Sequence, residues 1–191
     1  MISANSLKLP VLTFDDVLLM PQYSQVESRN SVSLQQGLDS HRTLKIPIIS
    51  SPMDTVTGLR MAQTMYDLGG LGIIHRYNTI EEQASTAASV SGVVGAAVGV
   101  SGDFKDRAMA LRNVGVSVLC VDVAHGHHVL MERALKTLKD AFGDEVHIMA
   151  GNVATLEGFN DLADWGADSI RCNIGGGSIC TTRIQTGHGV P

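Results

Sequence analysis

From residue 46 onward, short apolar runs alternate with stretches in which apolar side chains recur every three or four positions. Ile46-Pro47-Ile48-Ile49-Ser50-Ser51 is the first run and reads as a strand. Leu59, Met61, Ala62, Met65 and Leu68 mark one face of a helix over 58–68, stopped by Gly69-Gly70. A second strand follows at 71–75, and Thr79 with Glu82 forms a capping-box pattern that opens a second helix. The same alternation predicts strands at 93–100, 117–123, 146–150 and 169–174, with helices at 103–113, 129–142 and 156–165 between them. Residues 1–45 lack this rhythm. Their short apolar segment at 12–19 is broken by Asp15 and Asp16, and Pro21 and a polar run at 24–33 follow. They predict an irregular, extended N-terminal arm packed against the outside of the domain.

Strands that are apolar on both faces, separated by amphipathic helices, predict parallel β/α units with the sheet covered on each side. A doubly wound sheet and a (β/α)8 TIM barrel both meet that description. A dinucleotide fingerprint would follow the first strand of the former, and none does. Polar residues instead crowd the strand ends: Ser51, Met53 and Asp54; His75 and Arg76; Asp122 and His125; Asn152; and Arg171 to Cys180. In a barrel these ends converge on one mouth, where active sites lie. The expected fold is therefore an α/β TIM barrel of about six units, two short of closure. Its division is an arm at 1–45 and the N-terminal part of a catalytic barrel at 46–191, ending in what should be an active-site loop.

Composition narrows the function classes. Hydrophobic content is 44 %, aromatics 4 %, and 20 residues are glycine, which fits small side chains packed tightly in an α/β domain. A net charge of −5 disfavours a nucleic-acid surface. No apolar run is long enough to cross a bilayer, and Met1 to Pro10 lack the pattern of a secretory leader. Cys120, Cys172 and Cys180 are odd in number and not arranged as a disulfide framework, so a reducing cytoplasm is expected.

The chemistry centres on Asn173-Ile174-Gly175-Gly176-Gly177-Ser178-Ile179-Cys180-Thr181-Thr182-Arg183. Such glycines allow close backbone approach, and their N–H and C=O groups can face an anion or a cation. Cys180, among hydroxyls and near Arg171 and Arg183, can act as a nucleophile if its pKa is lowered. Cys120 and Cys172 lie within apolar strands and read as packing residues. His75 and Arg76 could meet a phosphate or a base, or be solvated. Asp122 reads either as a ribose-hydroxyl acceptor or as a cap for the following turn. Asn152 reads as a ligand contact or as a helix cap. His125, His127 and His128 lack a supporting carboxylate or cysteine cluster and read as a solvated loop rather than a metal site. Asp15 and Asp16 read as structural. The set suits a phosphorylated, ring-bearing small molecule beside a thiol.

Several stretches together resemble one family, the inosine-monophosphate dehydrogenases and guanosine-monophosphate reductases. They are Leu12-Thr13-Phe14-Asp15-Asp16-Val17-Leu18-Leu19, Ser50-Ser51-Pro52-Met53-Asp54-Thr55-Val56-Thr57, and Gly69-Gly70-Leu71-Gly72-Ile73-Ile74-His75-Arg76. Val121-Asp122-Val123-Ala124-His125-Gly126, Ala150-Gly151-Asn152-Val153-Ala154-Thr155, and the run from Gly175 to Pro191 complete the set in the family's order. The resemblance implies a (β/α)8 barrel, usually a homotetramer, that binds a purine mononucleotide and a nicotinamide dinucleotide. Cys180 matches the cysteine that attacks purine C2, and Thr182 the threonine that assists it. Ser51, Met53, Asn152, Arg171 and Ser178 match nucleotide contacts, and Asp122 matches the acid that meets the nicotinamide ribose. Gly175, Gly177 and Cys180 match positions whose carbonyls hold K+ in the dehydrogenase. NAD-dependent oxidation of IMP to xanthosine monophosphate, a step of guanine nucleotide synthesis, is the first expectation. NADPH-dependent reduction of GMP to IMP and ammonia is the alternative.

The sequence departs from the pattern at particular points. Asn173 and Gly176 replace the usual Gly and Pro or Ser, and Arg76 stands where many members have a lysine with a proposed role in reductases. Tandem regulatory CBS domains are absent after the second helix, where Ser91-Gly92 runs straight into the next strand. The last two barrel strands, their phosphate loops and the catalytic flap do not occur in the sequence. A third expectation follows from that: a non-catalytic fragment or interaction module, completed by another chain.

Overall fold

The computed structural model describes residues 12–190. Met1 to Pro10, where no secretory leader is expected, and the final Pro191 lie outside the described residues. Six parallel strands form one curled sheet in chain order: β3 (Ile49–Ser50), β4 (Leu71–Ile74), β5 (Gly95–Val98), β6 (Val118–Asp122), β7 (His147–Val153) and β8 (Ser169–Cys172). The helices α1 (Leu59–Asp67), α2 (Ile80–Ala88), α3 (Phe104–Asn113), α4 (Val129–Phe142) and α5 (Leu156–Asp164) connect them. This is a TIM barrel built as far as its sixth unit. Among the described residues no helix is long and apolar enough to cross a membrane.

The continuous apolar runs reflect two cores, one on each face of the sheet. Ile74, Ala96, Val98, Leu119, Val121, Ile148 and Ala150 point outward and pack under the helices. From α4, Met131, Ala134, Leu135, Leu138 and Phe142 meet them, at helical spacing on one face. Leu71, Ile73, Ala97, Val118, Cys120 and Met149 point inward and fill the barrel. Period-two alternation separates these sets even though both are apolar. Helix ends fall where the local chemistry puts them. Thr79 Oγ1 accepts the Glu82 N–H while the Glu82 carboxylate accepts the Thr79 N–H, and Gly69 leaves α1 at φ +84°.

The irregular reading of residues 1–45 needs correction. β1 (Gln36–Gly37) and β2 (Thr43–Leu44) form an antiparallel hairpin beneath the barrel. Leu44 enters the inner core and Leu38 packs beside it, which a two-residue strand pattern could not reveal. The described part of the segment before the hairpin, residues 12–35, is not packed against the outside of the domain along its length. Its side chains are exposed, Leu18 and Leu19 at 98 % each. Cys172 also departs from its packing role. β8 pairs on one side only, with β7, and Cys172 at its end is exposed, while Cys120 is fully buried.

The hairpin is fastened to the barrel floor by polar contacts. His147 is buried at the start of β7, with Nδ1 2.8 Å from Asp39 Oδ2 and Nε2 2.8 Å from Ser169 Oγ. Arg42 donates to Asp39 at 2.6 Å and to the Glu145 carbonyl at 2.7 Å. Burial alone would raise the Asp39 pKa. The His41 N–H, the Arg42 guanidinium, His147 and the Arg42 N–H outweigh it and hold the carboxyl well below the usual range. A depressed carboxyl pKa adds stability above the unfolded value, about 4, and that stability is lost as pH falls toward the folded value. Asp39→Asn should therefore cost about 1.5–3 kcal/mol in urea unfolding at neutral pH. It should also flatten the loss of stability of the native protein between about pH 5 and 3. An unchanged midpoint at pH 7 would remove Asp39 from this role.

Candidate active site

Parallel strands deliver their C-terminal ends to one mouth, and most of the expected site residues line a single cavity of about 300 Å³ there. Ser51 and Met53 follow β3, Asp122 ends β6, Asn152 lies in β7 and Arg171 in β8. Gly175 and Cys180 come from the loop after β8. Thr182 opens a short helix, α6 (Thr182–Thr186), that the sequence pattern did not predict. Thr57 anchors the first of these positions. It is fully buried, its Oγ1 lies 2.9 Å from Ser50 Oγ, and it donates to the Ser51 carbonyl at 2.6 Å.

Gly177 and Ser178 do not line the cavity. The Ser178 hydroxyl donates to the Asp15 carboxylate, and the Gly177 carbonyl accepts the Cys180 N–H at 3.0 Å. The arm thus touches the loop directly, since the Phe14 N–H also donates to the Gly176 carbonyl at 3.0 Å. The two departures from the family pattern in this loop are one device. Asn173, at φ +99°, turns its Oδ1 onto the Gly176 N–H at 2.8 Å. A Cβ at residue 176 would lie 2.5 Å from the Asn173 amide, so a larger residue there would displace the amide from the Gly176 N–H. Asparagine tolerates positive φ better than most residues.

Asp122 neither caps a turn nor stands free. Its Oδ1 accepts from Arg171 Nη1 at 2.5 Å. The strand register explains this pairing: Asp122 lies beside Gly151, and Gly151 beside Arg171. A Cβ on Gly151 would sit 2.7 Å from Arg171 Cβ, so the missing side chain opens the path across β7. Arg171 Nη1 also lies 3.6 Å from Cys120 Sγ. Burial nevertheless pushes the Cys120 thiol up to about 12, and it stays neutral. Asn152 does not cap a helix, because Thr155 Oγ1 caps α5. Asn152 Nδ2 instead donates to the Asn173 carbonyl at 2.9 Å, which ties β7 to the loop.

The histidines after β6 go separate ways. His127 Nε2 pairs with Asp161 at 2.7 Å, His128 Nδ1 accepts the Leu130 N–H to cap α4, and His125 is exposed. Among the described residues no group of three or more His, Cys, Asp or Glu side chains could hold a metal ion. The sequence reading missed Tyr77, which also lines the cavity, and the partnership of Asp15 with Ser178. An exposed aromatic residue two positions beyond a strand end was the available signal for Tyr77.

Cys180 is half-buried, and its thiol is held below its ordinary value of 9.0. The Thr182 hydroxyl contributes most, followed by the Thr182 N–H. Partial burial opposes them, and Arg183 and the Gly175 backbone add smaller help. Alkylation of Cys180 by iodoacetamide in a Cys172→Ser background should follow a thiolate titration with its midpoint below 9.0. Thr182→Val should move that midpoint upward. A midpoint at or above 9.0 in the parent protein would contradict the assignment.

The fold and the sequence both have known relatives. The model of the IMP dehydrogenase / GMP reductase domain matches residues 11–191. The chain is 38 % identical to the inosine-5'-monophosphate dehydrogenase of Cryptosporidium parvum, over 94 % of this chain and 55 % of that protein. It is 36 % identical to a GMP reductase of Phytophthora infestans, over 94 % of this chain and 52 % of that one. The crystal structure of inosine 5' monophosphate dehydrogenase from Legionella pneumophila superposes with a TM-score of 0.86 at 45 % identity, covering 95 % of this chain and 56 % of that chain. The chain therefore spans about half the length of these relatives. With the barrel strands, the mouth and the cysteine loop all in the matched region, the chain belongs to the IMP dehydrogenase / GMP reductase family.

Proposed function

We propose that this chain supplies the nucleophile and much of the nucleotide site of an NAD-dependent IMP dehydrogenase. One observation carries the reading: a thiol with a lowered pKa shares a single cavity with Ser51, Met53, Asp122, Asn152 and Arg171. The Cys180 thiolate adds to C2 of the IMP base, and the C2 hydrogen departs as hydride, leaving a thioimidate. NAD+, when bound, accepts that hydride. Water then attacks the thioimidate carbon, and xanthosine monophosphate leaves as the Cys180 thiol is restored. Thr182 holds the thiolate through its hydroxyl and N–H.

The residues suit the dinucleotide. Arg171 occupies Asp122 Oδ1, so Oδ2 is left to accept a ribose hydroxyl. Ser178 reaches a nucleotide once its hydroxyl leaves Asp15. The loop suits potassium less well. The Gly177 carbonyl already accepts from Cys180, and Arg183 Nη2 lies 3.5 Å from it, so a cation placed there would meet a guanidinium charge. No step is assigned to K+. The exposed apolar arm, with Leu18, Leu19, Met20 and Tyr23, supports self-association, and a homotetramer is the assembly we propose from the family resemblance. Light scattering should then read four protomer masses, and a monomer would refute it.

The second reading is a GMP reductase, favoured by the 36 % identity to proteins of that name. The same thiol would attack C2 of GMP, ammonia would leave, and NADPH would return the hydride. The native protein with IMP and NAD+ should raise the absorbance of reduced cofactor. With GMP and NADPH it should leave that absorbance unchanged. The reverse pattern would identify the reductase, and inactivity of the folded protein in both assays would point to a non-catalytic chain. Cys180→Ala should lower turnover by at least a thousandfold while leaving IMP binding within about threefold. Retained turnover would exclude Cys180 as the nucleophile.

A further inference from the structure

The turn after β4, His75 to Asn78, is fixed by side chains that the proposed reaction does not use. Among the described residues four polar side chains belong to buried residues: Thr57, Gln83, Arg107 and His147. His147 holds the floor, and Thr57 holds Ser51. Gln83 on α2 and Arg107 on α3 both act on this one turn. Gln83 Nε2 reaches between two strand ends and donates to the carbonyls of His75 at 3.0 Å and Ala97 at 2.9 Å. Arg107 Nη1 donates to Gln83 Oε1 at 2.9 Å. Arg107 Nη2 donates to the Asn78 carbonyl at 3.0 Å and to Asp103 Oδ2 at 2.8 Å. The His75 N–H in turn donates to the Thr57 carbonyl at 3.3 Å.

Packing does not call for this pair. Burying an amide and a guanidinium costs stability unless their polar atoms are met, and apolar side chains of the same volume would fill the space without that penalty. Apolar side chains could not bond to the carbonyls of His75 and Asn78. The bonded network gives the turn one position and ties it at both ends.

Arg76 and Tyr77 stand between those ties. Tyr77 lines the cavity that holds Cys180, four strands round the sheet from the cysteine loop. Arg76 passes over Gly99, just beyond β5, where a Cβ would lie 3.6 Å from its Nη1. Its Nη2 then lies 3.4 Å from the Asp122 carbonyl on β6. That contact is weak, so the turn rather than Asp122 sets where the guanidinium stands. The turn borders the Asp122 side of the cavity, and a shift of the turn would move Arg76 and Tyr77 together.

We propose that Gln83 and Arg107 are positioning residues. From behind the barrel wall they fix the turn so that Arg76 and Tyr77 shape the Asp122 side of the cavity, where the dinucleotide must lie for hydride transfer. This rests on the dinucleotide reading of the cavity. The test is steady-state kinetics of the native protein, Arg107→Met and Gln83→Met with IMP and NAD+. IMP affinity by calorimetry, the Cys180 alkylation midpoint and thermal unfolding are measured beside it. Leu138→Ala, in the outer core, is the control for a purely structural loss. Each clamp variant should raise KM for NAD+ about tenfold and leave IMP affinity and the Cys180 midpoint near native. Leu138→Ala should unfold at a lower temperature with KM for NAD+ unchanged. A KM within twofold of native in either folded clamp variant would overturn the proposal. So would an equal loss of IMP affinity, or failure of both variants to fold. If the native protein proves to be the reductase, the same split is read with GMP and NADPH. A folded native protein inactive with both pairs would instead sink the dinucleotide reading, and this proposal with it.

Discussion

Asp122 and Arg171 meet across an empty position on β7, and the geometry of the mouth depends on that meeting. The pair needs three adjacent strands in one register and a glycine on the middle one. Gly151 weakens the strand locally, since it adds no side chain to pack. In exchange an arginine and an aspartate, both largely withdrawn from water, neutralise each other at 2.5 Å. Both side chains are only about a quarter exposed, so the pairing offsets part of the cost of taking each charge out of water. Cys120 beneath them stays a neutral thiol, so the barrel wall carries no further charge into the site.

The inward face of the sheet can be followed as layers from floor to mouth. His147 stands at the lowest level, bonds Ser169 on the neighbouring strand and grips the hairpin through Asp39. Met149 and Cys120 form an apolar layer above them. Asp122, Gly151 and Arg171 form the top. On β8, Ser169 and Arg171 are two residues apart and share a face, so the floor and the mouth fix the same strand at two heights. Polar groups at both ends of an apolar plug leave one register that satisfies them.

The fold was legible because its signals are local and repeated. Strands and helices from residue 58 to 172 follow from hydrophobic period and from caps such as Thr79 with Glu82. The hairpin escaped because two-residue strands have no period, and it is held by Asp39 and Arg42 bonding to His147 and Glu145, 108 and 103 positions away. That the strand-end residues would line one cavity was legible, because parallel strands share one mouth. What each one touches was not. Asp122 has two local readings, and its actual partner lies 49 residues away. Cys172 read as a core residue because a strand pattern does not say whether a neighbour covers it. The joint departure at Asn173 and Gly176 became intelligible only once the amide was seen over the glycine.

The contact between Asp15 and Ser178 spans 163 positions of sequence, and Phe14 reaches Gly176 beside it. Contacts of such span form late, because the entropy of closing a long loop precedes any gain from the contact. During synthesis the arm emerges well before the cysteine loop. The barrel between them can take shape before the two ends find each other. The loop that carries Cys180 is thus framed late in folding, when Phe14 and Asp15 come back to Gly176 and Ser178.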